Sequence, residues 1–347
     1  MTIEEIGVFH PWRRFLARTF DLFMYNILWS AFLAFAFHVN LSSRGNWGTL
    51  LDCFIAIAIM LGLEPVWLHF SGTTPGKAIF GLRIKTPEGR HLSLGEDLTR
   101  TWRVIGTGMG YNIPFYNLFR LWKSYRLCSE NEIQPWDDAI AYTLKDKKWY
   151  RGVLYVGVYA AAAAVLVTIM SAQKLPPNRG ELTVAEFVEN HNYYAGFLGI
   201  NFGNEYLSDK GKWEKRDFNG TAYIEIGHAE KPEYHFTIED GHVTGVSFAV
   251  EIRNNKDWLN SYDSEMLLAS LAFAGAQDEM GLFSKTPERI AEQTGNNTFK
   301  DFHFTEAGIS FTCDTEYSGY IDTQSHFLVP EENAAETYFS LNFTMNK

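Results

Sequence analysis

Hydrophobic and polar positions are distributed very unevenly along this chain. From Trp149 to Ala172 it reads WYRGVLYVGVYAAAAAVLVTIMSA, and no charged residue falls between Arg151 and Lys174. A helix rises about 1.5 Å per residue, so this run covers about 32 Å, the hydrocarbon thickness of a bilayer. Phe20–Val39 and Leu50–Phe70 are two further long apolar runs and predict two more membrane-spanning helices. Val104–Trp122 is also apolar, but three glycines, Asn112, Pro114 and Asn117 interrupt it. Such breaks suit a re-entrant or interfacial hairpin of two short arms joined at Asn112–Pro114, because an unshielded backbone is costly in lipid.

After residue 172 the period changes. Gln173–Gly180 (QKLPPNRG) reads as a Pro-stiffened linker that lifts the next domain off the membrane. Leu182–Leu198 has a helical apolar face of Val184, Phe187, Val188, Tyr194 and Leu198, with Thr183 as its cap. Alternation of period two then predicts strands at 222–226, 234–238, 243–252, 300–304, 308–315, 319–328 and 335–344, with turns at 239–242 (EDGH), 306–309 (EAGI) and 317–320 (YSGY). Helices are predicted at 264–280 and 287–294. The fold class expected is thus an α-helical polytopic membrane module, with three transmembrane helices plus the hairpin, followed by an α+β domain with a meandering antiparallel sheet. The boundaries are 1–148 for the first two spans and their loops, 149–172 for the third helix, 173–180 for the linker and 181–347 for the domain.

Charge sharpens this division. Residues 1–172 carry 17 Lys or Arg against 13 Asp or Glu, a balance of +4, whereas residues 173–347 carry 13 against 28, a balance of −15. Basic residues cluster at Arg13, Arg14 and Arg18, between Lys77 and Arg103, and from Arg120 to Arg151. The rule that basic loops stay inside predicts a cytoplasmic N-terminus, three crossings and an extracytoplasmic acidic domain in the cell membrane. The first span should act as the targeting signal, with no cleaved leader. A net-acidic domain repels nucleic acid, so none is expected as a partner. Cys53, Cys128 and Cys313 are too few and too scattered for a disulfide framework or a thiolate metal site.

Carboxylates inside apolar spans are expensive, and two stand out. Asp21 can reach the arginines before it at helical spacing, or snorkel locally. Glu64, followed by Pro65, can form an ion pair with Arg13, Arg14 or Lys77, or it can titrate and line a polar path. The loop GTTPGK lacks the spacing and preceding strand of a phosphate-binding loop.

Three of these stretches resemble a known family. PWRRFLARTFDL with Arg13, Arg14 and Asp21, then GTTPGKAIFGLRI, then DDAIAYT ending at Thr143, are similar to the RDD family of small polytopic membrane proteins. The resemblance covers about residues 10–145. It implies that Arg13 or Arg14, Asp21 and Asp138 occupy the signature positions, and that Thr74, Pro75, Gly76, Lys77, Gly81, Leu82 and Arg83 form the loop motif. Asp137 stands where the family has His, and Tyr142 where it has Gly. The resemblance implies a membrane module, with ion or solute transport suggested for some members.

The acidic domain offers little chemistry. His228, His235 and His242 recur every seven residues, but that spacing alternates faces on strands. His303 and His326 with Asp301 and Asp322 form the other cluster that neighbouring strands could bring together. No Gly-x-Ser-x-Gly or His-Glu-x-x-His pattern occurs, and neither an enzyme nor a cofactor is expected. Phe197, Phe202, Tyr206 and Trp213 are expected in the core. The role expected is a multi-pass anchor for an extracytoplasmic binding or sensing domain. The alternative is an ion, proton or small-solute transporter that uses Asp21, Glu64 and Asp138. The partners expected are the lipid bilayer, a second copy or another membrane protein, and a small ligand or ion.

Overall fold

The computed structural model describes residues 10–138, 140–145, 148–215, 230–323 and 327–347. It divides into two compact units, Met1–Met170 and Ser171–Lys347.

In the first unit, three helices are long and apolar enough to cross a bilayer: α1 (Pro11–Ala36), α2 (Asn46–Ser71) and, after several short elements, Tyr150–Ala172. α1 begins nine residues before the expected apolar stretch, because Pro11 at its first turn is preorganised for a helical start. Arg13, Arg14 and Arg18 therefore lie on the helix rather than ahead of it. At the far ends of α1 and α2, Asp52 accepts from Trp29 Nε1 (2.8 Å) and from Arg44 Nη2 (2.7 Å). α2 ends at Gly72, which adopts φ +67°, and the chain turns into the short helix α3 (Pro75–Ile79) and strand β1 (Leu82–Lys85).

Ser93 caps α4 (Leu94–Arg103) in a reciprocal box with Glu96. α4 continues as a wider π turn over Val104–Gly108, then breaks through Gly110, Tyr111, Asn112 and Phe115, all at positive φ. α5 (Tyr116–Ser129) forms the second arm. The glycines and Asn112 place the break where the sequence predicts it. β2 (Ala141–Leu144) pairs antiparallel with β1, setting Tyr142 opposite Ile84 and Thr143 opposite Arg83. The two family-like segments are thus strand partners. α6 (Tyr150–Ala172) is the third apolar helix, and Arg151 near its start donates to the carbonyls of Ile79 (2.7 Å) and Ala78 (3.2 Å) at the end of α3.

The second unit begins with the segment expected to be a linker, which is instead tied to α7 (Val184–Leu198). Asn190 bonds the backbone of Asn178 in both directions at 3.0 Å, and Tyr194 Oη donates to the carbonyl of Lys174 at 2.8 Å. β3 (Glu205–Leu207) and β4 (Trp213–Lys215) form a small ribbon. The main sheet consists of β5 (His235–Glu239), β6 (His242–Arg253), β8 (Phe302–Glu306), β9 (Ile309–Ser318) and β12 (Tyr338–Asn346), with β7 (Leu259–Asn260), α8 (Asp263–Ala274) and α9 (Thr286–Asn296) between its halves. Two hairpins, β5–β6 and β8–β9, turn at Asp240-Gly241 and Ala307-Gly308, each with positive φ at both residues. The sheet order is β5-β6-β12-β9-β8, all antiparallel.

Along β12 the even-spaced Phe339, Leu341, Phe343 and Met345 are buried, and they join Phe248, Phe311 and the apolar residues of α7 and α8 in one core. α8 stops at Ala274, six residues earlier than its apolar pattern suggests. At Gly275 a Cβ would lie 2.6 Å from Tyr194 Oη and 2.5 Å from the Leu271 carbonyl, so Tyr194 occupies the space beside the helix end. The expected strand 319–328 is two strands, β10 (Tyr320–Asp322) and β11 (Phe327–Pro330), which pair with each other and reverse the chain. The expected strand 222–226 lies outside the described residues.

Candidate functional site

Charge converges inside the first unit. On α1, Arg14, Arg18 and Asp21 are spaced by four and three residues, so they share one helical face. That face meets Glu64 of α2, Thr74 and Lys77 of α3, Arg100 of α4, Asp137 of the loop before β2, and Tyr142 of β2. Asp21, Glu64, Lys77, Arg100 and Asp137 are all buried.

Three cations hold Glu64. Arg18 donates to its Oε2, Lys77 Nζ lies 2.8 Å from Oε1, and Arg100 Nη1 lies 3.7 Å from the same oxygen. Asp137 bridges Arg14, at Oδ2, and Arg100, whose Nη2 and Nε reach Oδ1 at 2.9 and 3.1 Å. Arg100 Nη2 also donates to Tyr142 Oη (2.9 Å), and the Arg14 guanidinium lies over the Tyr142 ring at 4.3 Å. Asp21 is held differently. It accepts from the Thr74 hydroxyl and from the Gly76 N–H (2.7 Å), with Lys77 Nζ at 3.8 Å.

The loop motif explains this geometry residue by residue. Thr74 is the N-cap of α3, its hydroxyl accepting from Lys77 N (3.4 Å) while donating to Asp21. Pro75 fixes the first turn. Gly76 lets α3 lie directly on α1: a Cβ there would sit 2.1 Å from the Ala17 carbonyl oxygen. Lys77 is thereby aimed at Glu64. Breaking one partner out of such a buried lattice leaves uncompensated charge, a loss of about 3–5 kcal/mol in comparable cases.

The structure thus brings together Arg14, Asp21, Glu64, Thr74, Pro75, Gly76 and Lys77 from the expected set. Three expected residues lie apart. Arg13 points its guanidinium at the Phe80 carbonyl (3.5 Å), and Arg83 is exposed on β1. Asp138 is 66% exposed, with Arg103 at 3.6 Å, and its neighbour Asp137 enters the cluster instead.

Arg100 and Tyr142 are members that sequence reasoning missed. The available signal was the spacing Asp97, Arg100, Thr101, Val104, one buried helical face in a segment assigned by its charge to the cytoplasmic side. Burial pushes the Asp97 carboxyl up to about 7 against the pull of Arg100, and neither of its oxygens has a hydrogen-bond partner among the described residues.

In the second unit, no group of three metal-ligating side chains occurs among the described residues. His303 bonds Thr312 Oγ1 (3.0 Å) and Asp301 accepts from Thr315 N (2.7 Å), whereas His228 and His326 lie outside the described residues. The unanticipated residue is His191 of α7. It is buried among Phe202, Trp213 and Tyr234, with ring centroids at 6.4, 6.0 and 5.9 Å, and burial lowers its pKa to about 4.

Apolar helices of spanning length, wrapped around an internal lattice of arginines, a lysine and carboxylates, define an α-helical membrane-protein module. Residues 8–174 match the model of the RDD family, so this region of the chain is similar to that family. Residues from about 175 onward lie outside the match. No curated protein and no solved structure matches the chain.

Proposed function

We propose that the RDD module is a multi-pass anchor in the cell membrane that presents the acidic α+β domain on the extracytoplasmic side as a binding or sensing domain. The observation that carries this reading is the odd number, three among the described residues, of helices long and apolar enough to span, in a chain whose first half is basic and whose second carries a charge of −15. The lattice fits an anchor. Each of its carboxylates is committed to at least two donors from other elements, which fixes α1, α2, α3 and α4 against one another.

Sidedness is tested by a membrane-impermeant thiol reagent on intact cells. Cys128 is buried, so single cysteines are introduced at exposed positions of a cysteine-free background, Glu88→Cys in the β1–α4 loop and Lys256→Cys after β6. Label at position 256 in intact cells, with position 88 labelled only after permeabilisation, is the expected outcome. The reverse pattern overturns the proposal.

A second reading, ion or proton transport, draws on the burial of Asp21 and Glu64 within apolar helices. Asp138, being exposed, leaves that set. Under this reading Glu64→Gln abolishes a flux that the parent protein supports in proteoliposomes, and an unchanged flux removes Glu64 from any transport path.

A further inference from the structure

Beside the ion lattice, and wholly within the first unit, lies a cavity of about 540 Å³ bounded by α1, α3, α4, the π turn and α5. That volume is in the range of sites for small organic ligands. Its walls are of two kinds. Among the described residues, every charged side chain lining it is a cation: Arg14, Arg18, Lys77 and Arg100. The remainder is mostly apolar, with Phe15, Val104, Met109, Leu121 and Trp122 prominent. Glu64 and Asp137 hold these cations from outside the lining.

The cations are not fully spent on their carboxylates. Four of them, Arg14, Arg18, Lys77 and Arg100, pair with three acids, Asp21, Glu64 and Asp137, while Asp97, a further buried acid near Arg100, makes no hydrogen bond among the described residues. Arg100 Nη1 is buried and, although Glu64 Oε1 lies 3.7 Å away, makes no hydrogen bond among the described residues. A buried guanidinium N–H without an acceptor is costly, and an oxyanion at that point would satisfy it. A free inorganic anion would use the cations and leave the apolar walls unmatched. Two of the lining residues, Leu118 and Trp122 of α5, are more than 60% exposed and lie with the exposed Phe115 and Phe119, so the walls lead to exposed apolar side chains.

We infer that this cavity binds an anionic amphiphile from the surrounding bilayer, with its phosphate or carboxylate head on Arg100, Arg14 and Lys77 and its hydrocarbon chain along Phe15, Leu121 and Trp122. The site is independent of the sidedness proposed above.

The test is native mass spectrometry of the full chain in a neutral maltoside detergent, with decyl phosphate, decanoate, inorganic phosphate and decyltrimethylammonium as probes at equal concentration. Retention of one decyl phosphate or decanoate per chain, with neither inorganic phosphate nor the cationic amphiphile retained, supports the inference. Two variants locate the site. Arg100→Gln removes the unsatisfied donor, and Leu121→Trp fills the apolar part without touching the lattice. Each should weaken retention at least about tenfold, a change worth about 1.4 kcal/mol. Leu121→Trp keeps the test decisive if Arg100→Gln fails to fold. Equal retention of the cationic amphiphile, retention of inorganic phosphate in its place, undiminished retention by Leu121→Trp, or no retention of any probe each overturns the assignment.

Discussion

The two units are built on opposite plans. In the acidic domain the interior is apolar, with Phe187, Phe248, Phe311, Phe339 and Phe343 at its centre, and most charges face out, the buried Glu265 being paired with Lys231. In the first unit an ionic lattice lies inside among apolar contacts, and large apolar residues such as Trp47, Phe70, Phe115 and Trp149 face out. The first plan is stabilised by taking hydrocarbon away from water. The second cannot be, because its outside is already suited to hydrocarbon, so directional charge pairing must choose one packing of the helices among many. The comparison teaches where each unit is fragile: the domain should respond to lost volume, the module to lost charge.

The largest effect should come from a change that alters charge and almost no volume. Glu64→Gln leaves Arg18, Lys77 and Arg100 around a neutral amide, and should cost about 3–5 kcal/mol, seen as a collapse of the monodisperse peak of the detergent-solubilised protein on gentle heating. In the domain the matching change is Phe343→Ala, about 3–5 kcal/mol from lost volume alone. A mild phenotype for Glu64→Gln would break the comparison.

Next comes acid sensitivity of the apolar core. The folded-state pKa of His191, about 4, lies below its ordinary value of 6.5, so the unfolded chain binds more protons between the two. The stability contributed by neutral His191 is complete above about 6.5 and is lost as pH falls through about 4, a total of about 3 kcal/mol. Hydrogen exchange of α7 in the full chain should quicken across that window, and His191→Phe should flatten the dependence. An unchanged profile would show that the ring is not sealed in the core.

A smaller effect, about 1–3 kcal/mol, is expected for Gly76→Ala, whose methyl would collide with the Ala17 carbonyl and push Lys77 off Glu64. Thermal melting should show it, whereas Gly89→Ala in the exposed β1–α4 loop, where a Cβ meets nothing within 4 Å, adds strain only from its φ of +83°. The smallest effect belongs to Asp138→Asn, within about 0.5 kcal/mol, since that side chain faces solvent. If it proved as damaging as Asp137→Asn, the assignment of the second aspartate would have to be exchanged.

Much of the helical architecture was legible because it rests on local patterns. Three apolar runs, the break at Asn112–Pro114 and the Thr183 cap depend on residues within a turn or two of one another. Arg13 and Arg14 were not distinguishable, because both carry the same chemistry and only the direction of a helical face separates them. Asp137 and Asp138 lie in an irregular loop with no period to read, so the choice of the inward carboxylate is made by Arg14 and Arg100, more than thirty positions away. His191 shows the opposite case. It sits four residues after Phe187 and three before Tyr194, on the apolar face, and its placement was readable had histidine been counted among core residues. Strand order in the sheet was not readable at all, because pairing partners are set by contacts distant in sequence.

That strand order has a temporal consequence. β12 is made after both hairpins, yet it lies between β6 and β9 and supplies hydrogen bonds to each. Until residues 338–346 have been synthesised and delivered, β5–β6 and β8–β9 are separate pairs, each with an open edge. A chain stalled or clipped before residue 338 would therefore display two unpaired strand edges, the kind of surface that proteolysis and quality-control factors recognise. The domain carries in its topology a check that synthesis has passed that point.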